Sequence, residues 1–245
     1  MKKSFLAFAM FIGVAATAQE LTSKKGFPIL PEAGDWGLGV GANSTLNYLG
    51  NLMNGNNVAP SFSWQNNNVI TGKYFKDANT AYRVGLRLGF NSGKTTATSP
   101  TDGNISDTSF SSNNINLAAG IQKYRGKGRL RGFYGAEAGI GLAGSKLTYN
   151  YQGNAPANSV LEAKAGGTFS FNVRGFVGVE YYFAPKISLG GEVGWGLGLS
   201  STGAGSVTTA DGNGGSKATD GPAKSSSFGL DTDNAGGSIN LNFYF

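Results

Sequence analysis

The chain of 245 residues contains no cysteine and no histidine. Those absences exclude disulfides, thiolate nucleophiles, zinc sites built from Cys and His, and any catalytic triad that runs through an imidazole. Charge is scarce too: Asp, Glu, Lys and Arg together make 14%, against about 25% in ordinary proteins. So low a charge density argues against a disordered or nucleic-acid-coating chain, despite a formal net charge of +6. Beyond the first twenty positions no apolar run approaches the length of a transmembrane helix. Glycine, by contrast, is abundant: 40 residues, about 16% where roughly 7% is usual. The glycines follow no Gly-X-Y period, which excludes collagen, and glycine at alternate positions would ruin a helix interior.

Residues Met1 to Ala18 have the three parts of a secretory signal: Lys2 and Lys3, an apolar stretch from Phe5 to Val14, and the small-residue cleavage site Ala16-Thr17-Ala18. The apolar stretch is too short for a permanent anchor, the rival reading. Cleavage after Ala18 leaves 18 basic and 14 acidic residues, a balance of +4, too modest to call for a polyanion partner. Residues 19–35 are too short for a domain and read as a periplasmic leader.

The rest alternates with period two, the signature of half-buried strands. Eight such segments are expected: Trp36–Ser44, Gln65–Phe75, Thr80–Asn91, Asn114–Tyr124, Leu130–Ala143, Thr168–Phe183, Ile187–Ser200 and Ser238–Phe245. In the third, Tyr82, Val84, Leu86, Leu88 and Phe90 alternate with Arg83, Gly85, Arg87 and Gly89. Three connections are short: Lys76–Asn79, Arg125–Arg129 and Ala184–Lys186. Four are long and rich in Asn, Ser, Thr and Gly: Thr45–Trp64, Ser92–Asn113, Gly144–Gly167 and Ser201–Gly236. Strict alternation of long and short connections puts every long loop at one end. The expected fold is therefore all-β: an eight-stranded antiparallel up-and-down transmembrane β-barrel over residues 36–245, with long extracellular loops and short periplasmic turns.

A soluble sheet shows its polar face to water, but here that face is mostly glycine and would make a poor solvent-exposed surface. Turned inside out it makes sense, because an eight-stranded barrel has a narrow interior filled by side chains. Alternation then points Arg83, Arg87 and Arg174 inward together with Glu137, Glu180 and Glu192. Charges so confined must pair, and an internal salt-bridge network is expected, with Gln122, Asn172 and Lys73 as further partners. Trp36, Tyr74, Tyr82, Tyr134, Tyr181, Phe183 and Phe243 fall near the periplasmic rim, and Phe90, Phe169, Phe171 and Trp195 in the opposite half, as two interfacial aromatic girdles would require.

The signal peptide, the glycine-alternating strands and the terminal Ile239-Asn240-Leu241-Asn242-Phe243-Tyr244-Phe245 resemble the small outer-membrane β-barrel family of Gram-negative bacteria, the OmpA-like transmembrane domain being the nearest type. The resemblance covers essentially all of the chain after Ala18. It implies that Ile239, Leu241, Phe243 and Phe245 form the assembly signal read by the barrel-assembly machinery. A peptidoglycan-binding domain, as in full OmpA-like proteins, is not expected after Phe245, which puts cell-wall anchoring in doubt.

Other motifs carry little. Gly89 to Thr95 reads G-F-N-S-G-K-T, with three residues between the glycines where a phosphate loop needs four. Gly37 to Gly41 is a strand pattern rather than a dinucleotide fingerprint. Asp211, Asp220, Asp231 and Asp233 lack calcium-loop spacing and read as solvated loop charges, so no metal or cofactor is expected. The basic run Lys123, Arg125, Lys127, Arg129 and Arg131 crosses a short turn, either facing anionic headgroups or solvating a hairpin tip. Nucleic acid is implausible in that compartment. His-dependent hydrolysis is closed, while a Ser/Lys or carboxylate mechanism stays open. The expected function is a non-enzymatic outer-membrane protein whose loops offer a surface. A small-solute, porin-like pore and an accessory subunit of a larger secretion or uptake complex are the rivals.

Overall fold

A computed structural model describes residues 22–41, 70–98, 105–232 and 238–245 of the chain. The signal segment 1–18, the loop 45–64, the beginning of the second expected segment and Asp233 lie outside them. Twelve strands run through the described residues: β1 (Trp36–Gly41), β2 (Ile70–Asp77), β3 (Thr80–Thr98), β4 (Ile105–Arg125), β5 (Leu130–Tyr151), β6 (Val160–Lys164), β7 (Thr168–Ala184), β8 (Ile187–Thr202), β9 (Ser206–Ala210), β10 (Ser216–Asp220), β11 (Ser225–Thr232) and β12 (Ser238–Tyr244). No helix occurs among them.

Eight of these strands form a closed antiparallel ring, in the order β1-β2-β3-β4-β5-β7-β8-β12 and back to β1. β1 and β12 meet with Gly37 opposite Tyr244 and Val40 opposite Leu241. Just beyond, Trp36 and Phe245 exchange both backbone hydrogen bonds, at 2.8 and 2.9 Å. The turn residues that join the strands at the lower end, where β1 begins, are few. Asp77 accepts the Asn79 N–H at 2.8 Å in the first of these turns, and that bond holds its carboxyl below the usual range.

The long polar connections differ from expectation. Much of Ser92–Asn113 is strand, because β3 continues to Thr98 and β4 begins at Ile105, in unbroken register. β5 likewise runs on to Tyr151, and β6, β9 and β10 pair outward from it in sequence. Stretches without an apolar face give no periodic signal, yet their backbone groups still need partners, and an extended ladder supplies them. Ion pairs between neighbouring strands fasten this upper extension: Lys94 to Asp107 and Lys146 to Glu162, both at 2.7 Å.

The ring's two faces separate cleanly. Outward stand Leu38, Val84, Leu86, Ile140, Val177, Val193, Leu197 and Leu199, all exposed. Leu86, Val177 and Leu197 share no common centre. Inward, at the lower end, Phe75, Ala81, Tyr124, Phe133, Phe176, Tyr182 and Tyr244 pack into a buried apolar cluster. Their rings touch in series, Phe75–Tyr124 at 5.4 Å, Tyr124–Phe133 at 5.9 Å and Phe133–Phe176 at 6.2 Å. Several of these rings lie over glycine in the register: Tyr244 opposite Gly37, Phe176 opposite Gly135, and Phe133 opposite Gly178. A Cβ on Gly37 would stand 2.6 Å from the Tyr244 ring, so the inward aromatic excludes any side chain there. The leader closes the bottom of this cluster. Ile29 is fully buried in it, and its carbonyl accepts the Lys186 N–H at 3.0 Å.

Candidate functional site

The inward face carries two ionic clusters above the aromatic floor. The lower one centres on Glu180, a fully buried carboxylate on β7. Lys73 from β2 reaches it at 3.2 Å and also donates to the hydroxyls of Tyr124 (3.1 Å) and Tyr244 (3.2 Å). Tyr124 donates to Glu180 at 2.9 Å, and Tyr244 and Ser188 donate to its other oxygen. Asn242 adds a bond at 3.3 Å. A buried carboxylate with this many donors has its lone pairs satisfied, the condition for tolerating a charge away from water.

The upper cluster is a closed cycle of two arginines and two glutamates. Arg83 on β3 binds Glu192 on β8 through both terminal nitrogens, at 2.5 and 3.0 Å. Its Nε lies 3.2 Å from Glu137 on β5. Arg174 on β7 joins the same two carboxylates, through Nε to Glu137 at 2.6 Å and through Nη2 to Glu192. The Arg83 and Arg174 guanidinium groups sit 4.8 and 5.5 Å from the Phe176 ring centre, so the aromatic floor supports the cations from below. Glycine makes room here as well: a Cβ on Gly196 would lie 2.5 Å from the Val173 carbonyl and 2.6 Å from Arg174 Cβ.

Between the two clusters remains a void of about 10 Å³, bordered by Lys73, Arg83, Glu180 and Glu192, room for roughly one water. Above the cycle the interior widens into a polar vestibule of about 550 Å³, lined by Arg87, Asn91, Asn114, Ser145, Thr168 and Thr202 among others.

Of the six charges expected inside, Arg83, Glu137, Arg174 and Glu192 meet in one cycle. Glu180 lies lower and takes Lys73 as its cation. Arg87, half-buried, lines the vestibule above. Two further expected partners are corrected: Gln122 is fully buried but its amide hydrogen-bonds to neither cluster, and Asn172 is exposed, because it lies above the cycle, where the ring is open. Arg131 is corrected too. Expected in a run that faces anionic headgroups or solvates a hairpin tip, it is 2% exposed, lies 4.7 Å over the Tyr124 ring, and donates to the Ala78 carbonyl (2.8 Å) and Asn79 Oδ1 (2.7 Å). Lys123, Arg125 and Lys127 are exposed.

Of the residues expected in an aromatic girdle, Trp36, Tyr74, Tyr82, Tyr134 and Phe183 are exposed on the outward face, and Tyr181 is half-buried. Trp36, Tyr74 and Tyr82 stand side by side in the register of β1, β2 and β3, with the first two rings 4.9 Å apart. Phe243 and Phe245 are exposed, and Ile239 and Leu241 are half-buried. Asp211 caps a turn by accepting the N–H groups of Asn213 and Gly215, both at 2.8 Å. Asp220 and Asp231 lie in strands β10 and β11. Among the described residues, no group of three or more Asp and Glu side chains comes together as a metal site.

Sequence reasoning missed the inward aromatics Phe75, Tyr124, Phe133, Phe176, Tyr182 and Tyr244. The available signal was an aromatic at inward parity opposite a glycine, a pairing in which the ring covers the bare backbone. Compared with protein-family models and with curated proteins, the chain matches none.

Proposed function

We propose that the ring is an eight-stranded, OmpA-like transmembrane β-barrel of the outer membrane of a Gram-negative bacterium. It acts as a non-enzymatic structural and surface-interaction protein with a filled interior. The observation that carries this reading is the inversion of polarity. Apolar side chains cover the outward face, while Arg83, Glu137, Arg174 and Glu192 close the cross-section from within. In water such an outward face would be an aggregation hazard, whereas in lipid it is the expected solvent-facing surface. The row Trp36-Tyr74-Tyr82 near the lower end fits an interfacial girdle. The outward alternation of Ile239, Leu241, Phe243 and Phe245 suits recognition by the barrel-assembly machinery. No cofactor enters this reading, and its partners are outer-membrane lipid and whatever the upper extension meets.

The test has two arms. Expressed with its signal segment, the protein should sediment with outer membranes and resist extraction by alkaline carbonate; recovery in the soluble periplasm would overturn the membrane reading. Reconstituted in planar bilayers, it should give no steady conductance, and persistent open channels would favour the pore instead.

A further inference from the structure

On the outward face, one pleat above the last apolar row, lies a cleft of about 590 Å³ whose lining includes Phe90, Ser92, Ser111, Asn113, Lys146 and Lys164. Parity fixes the side on which its lysine row stands, while Asn91, Ser112, Ala143 and Ser145, of inward parity, border both this cleft and the vestibule. Lys146 shares the parity of the outward Ile140 and Leu142 along the unbroken β4–β5 register, and Ser92, Ser111, Lys146 and Lys164 form one row across β3, β4, β5 and β6. Within that row the two lysines stand directly opposite each other. Like charges in that arrangement repel and destabilise the strand pair. Glu162 answers Lys146 at 2.7 Å, while Lys164, exposed, makes no ion pair among the described residues. Directly beneath the row, Phe90 stands 72% exposed at the top of the apolar face.

We propose that this cleft binds the phosphate-bearing headgroup of an acylated outer-leaflet glycolipid. The phosphate neutralises the facing lysines, the Ser and Asn side chains meet sugar hydroxyls, and the acyl chains run down past Phe90. The order of chemistries fits an amphiphile better than a free anion, because ammonium groups, hydroxyls and exposed aromatic follow one another down a single face toward the apolar belt. The proposal rests on the membrane reading above and names the lipid partner of that surface.

The full chain is reconstituted in phosphatidylcholine vesicles containing a minor fraction of lipid A, the bis-phosphorylated acylated glucosamine disaccharide. Insertion is read first, by resistance of the ring to protease. Lipid A retained per protein after detergent extraction is then read by mass spectrometry. The unaltered protein should retain it, the Lys146→Gln/Lys164→Gln double variant should retain roughly tenfold less, the effect of about one charge-assisted hydrogen bond, and Lys217→Gln on β10 should match the unaltered protein. Dephosphorylated lipid A should not be retained, and inorganic phosphate should not displace lipid A. Normal insertion with equal retention by the double variant, or of the dephosphorylated lipid, would overturn the glycolipid site alone. Displacement by inorganic phosphate would show a free-anion site instead and also overturn it. Failure to insert would overturn the membrane reading and the site together.

Discussion

Arg83 and Glu192 form a two-pronged ion pair, at 2.5 and 3.0 Å, between strands that stand four places apart whichever way the ring is followed. The pair therefore spans a diameter. Lys73 and Glu180, on β2 and β7, span another in the same sense. Each pair links strands that share no backbone hydrogen bond.

Removing one partner from such a pair should be costly. Glu192→Ala leaves Arg83 and Arg174 short of a shared carboxylate and is expected to destabilise the ring by about 3–5 kcal/mol. Glu137→Ala should cost less, because the Glu137 side chain is 12% exposed against 3% for Glu192 and water can replace part of what is lost. Urea midpoints of the two variants in the same detergent check the order; equal midpoints would refute it.

Gly196→Ala adds one carbon where the Val173 carbonyl and Arg174 Cβ already stand at 2.5 and 2.6 Å. The expected loss is about 1–3 kcal/mol, the usual cost of overpacking, with a shifted Arg174 seen as weakened coupling to Glu137 in a double-mutant cycle. A variant as stable as the parent would show that the β7–β8 pair can widen.

Ile29→Asp should unseat the leader from the aromatic floor while leaving the ring closed. The readout is hydrogen exchange at the Lys186 amide, which donates to the Ile29 carbonyl. Exchange there should accelerate while amides of β4 and β5 stay protected; unchanged exchange at Lys186 would contradict the role of Ile29.

In the upper extension, the hydrogen bond from Lys94, then that from Thr96, holds the Asp107 carboxyl below its usual range. The carboxylate is thus favoured in the folded state. Its contribution is complete above the ordinary carboxylate range and is lost as the pH falls through the lowered folded value. Exchange protection at the tip of β3 and β4 should fall over that acidic window, and Asp107→Asn should remove the pH dependence. High salt should shrink the effect, since the pair faces solvent.

Much of this arrangement follows from parity alone. Period two assigns Arg83, Glu137, Arg174 and Glu192 to one face, and hydrogen-bonded register sets Arg83, Glu137 and Arg174 in one row, while Glu192 pairs lower down with Gly178. Parity does not say which inward cation meets which anion, because pairing across a diameter depends on the tilt and stagger of strands distant in sequence. Both Arg87 and Lys73 have inward parity, and it is Lys73 that meets Glu180. Arg131 hid within a run of exposed basic residues although its alternation with Phe133 and Gly135 placed it inward. The polar upper strands were read as loops because Ser, Thr and Asn on both faces leave no contrast for periodicity to detect.

The mutual backbone bonds of Trp36 and Phe245 join the first strand of the ring to its last. An up-and-down chain forms its other pairings between near neighbours, but this seam must wait for the most distant partner. Until β12 arrives, β1 offers an unzipped margin of donors and acceptors to any passing β-segment. Single-residue trimming at Phe245 should lengthen this vulnerable interval more than it weakens the finished molecule.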